Sequence, residues 1–511
     1  MTSTPATPAA PNPAGPAVGG LARLREFATG AQAKAAWFGC LGALLITVGG
    51  LGAGSTRIQD PVLDSLHLSW LRFGHGLVLS SVLLWTGVAV MLAAWLGLGR
   101  RVIDGTVSAY TLIVTTGFWL APLLLSVPVF SRDTYSYLAQ GALLRDGFDP
   151  YQVGPVDNPN VLLEDVSPIW AATTAPYGPA FILVAKLVTM LVGNNVVAGT
   201  MLLRLCMLPG LALLIWAAPR VAARVGGSAP AALLLAVLNP LVIIHLMGGV
   251  HNEMLMVGLM VAGIAFTLES RPLVGVGLVA LAAAVKATAV IALPFLVWVW
   301  MRRLRERRGY PTLAAFATVT ALSAAIVVAV FAVLSALAGV SMGWLTALLA
   351  GNVKIINWLT VPTAAANLIH LIVTFFASVN FYSVLHITRM CGLAVIGLVL
   401  PVLWWRARRD DRSAVCGIAW AMLLVVLFVP AALPWYYTWP LAVAATVVRS
   451  PSAIAVIAAA STWIMVIFKP DGSHGMYTWL HVLSAMGCAA YAWHRLSKAP
   501  RAAELDSTPA A

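Results

Sequence analysis

Charged side chains are scarce: only 10% of the 511 residues are Asp, Glu, Lys or Arg, where a soluble domain carries about 25%. So little charge excludes a water-facing globular surface. Acids are the scarcer sign, eighteen against thirty-one Lys and Arg, and such an excess of base would suit a nucleic-acid binder if the cations lined one face. They do not. They gather in short gaps between apolar runs, at Arg100-Arg101, at Arg302, Arg303, Arg305, Arg307 and Arg308, and at Arg406, Arg408 and Arg409, which is the placement of cytoplasmic loops in a membrane protein and argues against nucleic acid as a partner. Cysteine is sparse too. Cys40, Cys206, Cys391, Cys416 and Cys488 lie far apart with no CxxC pair, so neither a thiol redox centre nor a cysteine metal site is indicated. The chain opens without a basic segment leading into an apolar one; residues 1–20, rich in Ala, Pro and Thr, read as a disordered tail and not as a signal peptide.

What the sequence has instead is apolar length. Sixty per cent of it is hydrophobic, in runs at or near the roughly 18 residues that span a bilayer. These runs predict helices near 36–55, 75–99, 107–130, 180–192, 196–218, 231–250, 254–269, 274–300, 312–339, 382–405, 414–433, 437–449, 452–468 and 477–494. The fold class is therefore an all-α polytopic membrane protein, a bundle of about 12–14 transmembrane helices by this reading. Residues 1–34 form a cytoplasmic tail, 35–495 the membrane domain and 496–511 a second cytoplasmic tail. Counting from a cytoplasmic N-terminus puts the arginine clusters inside, but leaves Arg220 and Arg224 outside; 180–192 and 437–449 are also short for a crossing, so one of them is re-entrant or discontinuous in this scheme. The loop 131–179 holds six of the eighteen acids (Asp133, Asp146, Asp149, Asp157, Glu164 and Asp165) and two basic residues, Arg132 and Arg145. It belongs outside, with Asp133 to Arg145 as a short amphipathic helix resting on the membrane surface. The stretch 340–380, with Lys354, Trp358 and His370, is a second external segment.

Several residues in this pattern can carry chemistry. Asp133 follows an apolar run directly, beside Arg132 and near Tyr135 and Tyr137: a carboxylate at headgroup depth can deprotonate a hydroxyl while an arginine holds a phosphate, although the same residues could simply cap a surface helix. TTAPYGPA (173–180) offers Tyr177 or merely a helix start at Pro179. Lys286 lies mid-run in LAAAVKATAV, where snorkelling is hard and a charge costs at least ~2.5–3.5 kcal/mol; it is a candidate for an anionic lipid head. Lys186, Arg204 and Arg389 are further ionisable groups in apolar segments, with snorkelling the plainer account of the first and last. His251 and Glu253, in GGVHNE (248–253), stand at a span's end; one His and one acid without a further local ligand do not make a metal site, and a helix-end hydrogen-bond cluster or a donor contact fits them better. Lys469 and His474 in FKPDGSHGMY, and the aromatics of LPWYYTWP, sit at external ends, where an interfacial aromatic belt and a sugar platform are both open. An acidic loop of forty-nine residues and the lack of an inverted repeat speak for an enzyme against a carrier such as a polyprenyl-phosphate sugar flippase or other transporter.

An external loop that opens on Asp133, followed by Tyr177-Gly178-Pro179, Asn239-Pro240 and His251-Asn252-Glu253, resembles the C-type (GT-C) glycosyltransferases. More narrowly, SRDTYSYLAQGALLRDGFDPY, LRLCMLPGLALL, NPLVIIHLMGGVHNEMLMVGLM, LPWYYTWPLAVAA and FKPDGSHGMY are similar to the α-(1→6)-mannopyranosyltransferases of lipomannan and lipoarabinomannan assembly, over about residues 35–495. The resemblance implies a GT-C bundle in the plasma membrane, decaprenyl-phosphate mannose as donor, an α-1,6-mannan glycolipid as acceptor, an active site on the external face, and Asp133 as the catalytic base. A transferase for another sugar shares the physical features. Unlike the wider superfamily, the loop has a single Asp and no DD or DE pair, and two spans precede the shared module. With no second acid, no metal and no cofactor is expected; Arg132, Lys286 and Lys469 are the candidates for the donor phosphate, and Tyr135, Tyr137, Tyr177, His251, Glu253 and His474 for substrate contacts.

Overall fold

A computed structural model describes residues 20–344 and 355–498. In chain order the main helices are α1 (Lys34–Ala53), α2 (Gly74–Ile103), α3 (Ala109–Leu123), α4 (Asp133–Arg145), α5 (Pro179–Val192), α6 (Val196–Val225), α7 (Ala229–Ala236), α8 (Pro240–Gly248), α9 (Glu253–Leu268), α10 (Pro272–Val285), α11 (Ala287–Arg308), α12 (Thr312–Ala338), α13 (Val361–Val373), α14 (Phe381–Arg406), α15 (Asp411–Phe428), α16 (Thr438–Val447), α17 (Pro451–Ile467) and α18 (Trp479–Ser497). Among the described residues there is no strand, only an isolated bridge between Phe468 and His474. Seven helices (α1, α2, α6, α11, α12, α14 and α15) are long and apolar enough to cross a membrane, and α7 with α8, bent by 40° at the break between them, makes an eighth. Shorter apolar helices fill the bundle between them. The chain is an all-α polytopic membrane protein.

The bundle is held by backbone proximity, because lipid gives apolar faces no reason to associate and close packing must supply it. At the crossing of α6 and α9 a Cβ on Gly258 would lie 2.0 Å from the Gly210 carbonyl oxygen, so alanine at Gly258 would force these helices apart. Arginines tie one end of the bundle together. Arg302 and Arg303 hold the two oxygens of Asp411 at 2.6 and 2.8 Å, Arg412 donates to the Val225 and Val447 carbonyls at 2.7 and 2.9 Å, and Arg449 donates to Gly226. Cations thus satisfy the orphan carbonyls at the C-terminal ends of α6 and α16, where the helix dipoles favour them.

Those contacts correct the topology expected from the sequence. Arg220, paired with Glu269 at 3.9 Å, and Arg224 lie on the last turns of α6, at the same end as Arg302, Arg303 and Arg412, and not at the opposite one. The count went astray at α5. Its first residue follows Gly178, whose N–H donates to the Val285 carbonyl at 3.1 Å; its last turn meets Arg145, which donates to the Thr189 carbonyl and to Asn194; and Lys186 reaches the Ala338 carbonyl at 3.2 Å. All of these lie in the half remote from the arginines. Fourteen residues reach only ~21 Å at 1.5 Å each, so α5 enters and leaves on one side.

Helix α4 has the residues expected of it but not the setting. It is buried from Thr134 to Leu144 and wedged against α5 and α6, not laid on the membrane surface. Gly141 permits this, since a Cβ there would come within 2.4 Å of the Ala185 carbonyl oxygen. The presumed N-terminal tail is also partly structured: Gly20–Thr29 is helical, and buried Phe27 meets Phe118 edge-on at 6.1 Å. Residues 1–19 and 499–511, and Lys354 of the second external segment, fall outside the described residues; the rest of that segment includes α13, a helix the sequence reading did not assign.

Candidate active site

Three interruptions of helical backbone meet at the N-terminus of α4. The first separates α8, which ends in a π-helical turn over Ile243–Gly248, from α9, which begins at Glu253. The second is Lys286, extended at φ −147° and ψ 120° between α10 and α11. The third lies between Phe428 and Thr438, where Pro430 and Pro434 forbid regular helix. In a membrane such breaks are tolerated only where protein or a cavity receives the freed backbone groups. Asp133 is pinned above them: the Phe130 N–H donates to the Pro470 carbonyl at 2.7 Å, and Thr134 Oγ1 donates to the Gly249 carbonyl at 2.9 Å. Phe130 (φ 65°) and Val250 (φ 57°) are both held in the left-handed region, which costs a bulky or β-branched residue of order 1–3 kcal/mol. Both are buried, and each sits within three residues of a polar member of the site.

The polar members converge closely. His251 Nδ1 lies 3.5 Å from the Tyr137 hydroxyl, 3.7 Å from Asp133 Oδ2 and 3.9 Å from Glu253 Oε2, while Lys286 Nζ donates to and ion-pairs with Glu253 Oε1. Aromatic rings enclose them. His251 stacks on Trp435 with centroids 3.8 Å apart; Lys286 Nζ stands 4.4 Å from the Tyr436 ring centroid, 5.3 Å from that of Trp439 and 5.8 Å from that of Tyr177; Tyr436 and Trp439 stack on each other at 4.5 Å. Between α4 and this group opens a narrow cleft lined by Asp133, Gln140, Tyr177, Lys286, Tyr436 and Trp439 among others. Burial, reinforced by the charge of Glu253, pushes the Asp133 carboxyl up to about 7, with Lys286 pulling the other way. A carboxylate so tuned can accept a proton near neutral pH.

The structure therefore brings together Asp133, Tyr137, Tyr177, His251, Glu253 and Lys286. The other residues singled out in the sequence lie apart from the cleft lining. Arg132 spends its guanidinium on the Thr56 carbonyl at 3.0 Å and on the Asp165 carbonyl at 3.0 and 3.1 Å, with its plane 5.2 Å from the Tyr135 ring centroid; Tyr135 in turn donates to the Ser55 carbonyl. Both residues fasten the loop. Lys469 and His474 belong to a tight turn, closed by the bridge from Phe468 to His474, whose Gly472 abuts Ser131. Among the described residues no group of three or more His, Cys, Asp or Glu is placed to hold a metal ion.

Sequence reasoning missed Ser136, Gln140, Trp170 and Thr288 on the cleft wall, and left Tyr436 and Trp439 open between an interfacial belt and a sugar platform. A signal existed for two of them: Ser136 and Gln140 follow Asp133 by three and seven residues, one face of a helix. Buried Ser136 Oγ, Gln140 Oε1, Glu253 Oε2, Thr288 Oγ1 and Trp439 Nε1 find no hydrogen-bond partner within the protein. Buried polar atoms are seldom left so, and around a cleft they are what a hydroxyl-rich ligand would satisfy.

A family model described as alpha-(1->6)-mannopyranosyltransferase, N-terminal domain, matches residues 36–302. The chain belongs to this mannosyltransferase family. A second model, the MptB C-terminal domain, matches residues 362–497. The alpha-(1->6)-mannopyranosyltransferase A of Mycobacterium tuberculosis is 69% identical over 94% of this chain and 93% of its own length; the protein of the same name from Corynebacterium glutamicum is 36% identical over 88% and 95%; and the alpha-(1->6)-mannopyranosyltransferase B of Corynebacterium glutamicum is 30% identical over 78% and 71%. No solved structure matches. In family terms, Asp133, His251, Glu253 and Lys286 come from the first matched region and Trp435, Tyr436 and Trp439 from the second.

Proposed function

We propose that this protein is a mannosyltransferase of the membrane that transfers mannose, with inversion and without a metal, from decaprenyl-phosphate mannose to the 6-hydroxyl of an α-1,6-mannan glycolipid. The observation that carries the reading is the placement of Asp133 opposite Lys286 across a cleft walled by aromatic rings, inside a membrane bundle of the α-(1->6)-mannopyranosyltransferase family.

A β-mannosyl phosphate giving an α-mannoside must react in one in-line displacement. The acceptor oxygen bonds to the anomeric carbon as the bond from that carbon to the phosphate oxygen breaks, and the hydroxyl proton passes to a carboxylate oxygen of Asp133. The phosphate departs as an anion and needs no proton; what it needs is a fixed positive charge. Lys286 supports that role, for its ammonium has three N–H donors and Glu253 takes one of them. Glu253 and the rings of Tyr436 and Trp439 aim the ammonium, and no step is required of Arg132, whose donors are engaged elsewhere. His251, stacked on Trp435, fixes the spacing between the two carboxylates. Tyr177, Tyr436 and Trp439 offer faces against which the apolar sides of mannose rings can pack.

The arginines gathered at the opposite end of the bundle support a cytoplasmic reading of that end, and with it a cleft that faces the outside of the plasma membrane. The decisive assay supplies purified protein with labelled polyprenyl-phosphate mannose and an α-1,6-linked dimannoside. Formation of a labelled trimannoside with a new α-1,6 bond is the expected result. Movement of the labelled lipid across a vesicle membrane without trimannoside would instead mark a carrier.

A further inference from the structure

At the arginine-tied end of the bundle, Arg302 and Arg303 are spent on Asp411, and Arg412 and Arg449 on backbone carbonyls. A second group of cations at that end is not spent. Lys34 opens α1, Arg100 and Arg101 lie on the last turn of α2, Arg495 lies on the last turn of α18, and all four line one groove. Helix α18 is docked there by Leu496, whose Cδ2 would lie 3.2 Å from a Cβ on Gly99 of α2. Arg100 is engaged, by Asp104 at 3.5 Å and by the Lys498 carbonyl. Among the described residues the side chains of Lys34, Arg101 and Arg495 have neither an ion pair nor a hydrogen bond, so four cations share a single acid. Toward the membrane interior the groove is apolar. Its wall on α2 is the stripe Val90, Ala93, Ala94 and Gly97, spaced along one helix face, and on α1 it is Ala35 and Phe38. The small residues leave the hollow: a Cβ on Gly97 would meet no atom within 4 Å. Phe38 is 60% exposed, so the groove opens to the bilayer.

We propose that this groove binds an anionic phospholipid with two phosphates, its headgroup among Lys34, Arg101 and Arg495 and one acyl chain along the α2 stripe. Charge complementarity selects the occupant. A cation near a helix C-terminus is ordinarily satisfied by orphan carbonyls, and Arg100 is satisfied in this manner by Lys498. The three that hold neither carbonyl nor carboxylate need an anion from outside the chain, and at a membrane surface that anion is a lipid phosphate. A zwitterionic lipid would bring an ammonium for which the groove has no carboxylate beyond Asp104, already paired with Arg100. A free phosphate ion would make no use of the apolar wall. Left bare, the four cations repel one another across three helices drawn from opposite ends of the chain; two phosphates convert that repulsion into a tie between the first two spans and the last helix. The site lies at the opposite end of the bundle from the catalytic cleft and is independent of the donor and acceptor assigned above.

The test titrates full-length protein, delipidated in detergent, with tetraoleoyl diphosphatidylglycerol, with dioleoyl phosphatidylethanolamine and with inorganic phosphate; native mass spectrometry counts what is bound, and thermal melts run in parallel. Diphosphatidylglycerol should occupy one site and raise the melting temperature, and the other two probes should do neither. Arg101→Gln combined with Arg495→Gln should weaken that binding about thirtyfold, the factor to which the loss of two membrane-surface cations converts. Gly97→Leu keeps all four cations, puts a side chain into the open groove and, as a replacement of glycine inside a helix, does not weaken α2; it should weaken binding by about tenfold. Unchanged melting temperatures without lipid show that both variants are folded. Equal binding of phosphatidylethanolamine, or wild-type affinity in the charge variant, overturns the proposal. Wild-type affinity in Gly97→Leu overturns it as well, since attraction to a cationic surface would then suffice without the groove.

Discussion

Asp133 gives the sharpest handle on the chemistry. Its carboxyl is pushed from the ordinary 3.8 to about 7, chiefly by burial and next by the charge of Glu253. As the base it must be ionised, so kcat/KM should fall by about tenfold for each pH unit below an apparent pKa near 7. Glu253→Gln removes the repulsion and should move this acid limb to lower pH, whatever its effect on the rate. Asp133→Asn should cost about 10²–10⁴-fold in turnover and leave the remaining activity without the limb. The same shift has a consequence for stability whose sign is opposite to that of a salt-bridged Asp. Because ionisation is disfavoured in the fold, the stabilising contribution is fully present below about 4, declines as pH rises, and is gone above about 7; at about 1.4 kcal/mol per tenfold factor the amount is about 4 kcal/mol. Asp133→Asn should therefore melt at a higher temperature than wild type at pH 8, with the gap closing toward pH 4. Initial rates across pH 5 to 9 with labelled donor, together with thermal melts of the same preparations, provide the check. An acid limb that persists in Asp133→Asn, or a variant no more stable than wild type at pH 8, would refute both the role and its physical cause.

Other perturbations reach different parts of the site. Lys286→Met should leave Glu253 buried without its cation and destabilise the protein by about 3–5 kcal/mol, whereas Lys286→Met with Glu253→Gln should recover most of that loss while remaining inactive; melting curves in detergent decide, and equal instability of the single and double variants would count against the pair. A cysteine at Asn158 should react with an impermeant thiol reagent in intact cells and one at Glu306 only after permeabilisation, and the reverse pattern would undo the external placement of the cleft. Activity should persist in excess chelator; its loss, with recovery on adding magnesium or manganese, would make Asp133 a metal ligand and not the base.

Much of the architecture was legible because a bilayer imposes a length on apolar runs, and most expected helices end within a few residues of the observed ones. The errors cluster where backbone departs from helix. The run 274–300 reads as one span, and only the fold reveals that it breaks at Lys286, since no proline or glycine marks that point. The run 231–250 likewise hides the bend between α7 and α8, although Asn239-Pro240 announces it. Asp133, His251, Glu253 and Lys286 could each be suspected from charge in an apolar setting; that they meet within a few ångströms of one another depends on how α9, α10 and α4 pack, which periodicity does not encode. Arg132 illustrates the converse: adjacent in sequence to Asp133, it turns away from the cleft because the carbonyls of Thr56 and Asp165 offer its guanidinium a better fit. The aromatics of LPWYYTWP fit an interfacial belt equally well from sequence, and only Lys286 resting over Tyr436 distinguishes them.

The pairing of Glu253 with Lys286 also bears on how the chain is made. The two residues stand thirty-three apart, at the start of α9 and just past the end of α10, so a single helical hairpin brings them together. Each alone would burden its segment during insertion; as a pair they neutralise one another as soon as that hairpin enters the bilayer. Trp435, Tyr436 and Trp439 are synthesised about 150 residues later. The nascent chain can thus store its most hydrophilic pair of side chains in the membrane well before the rings that enclose the ammonium have left the ribosome.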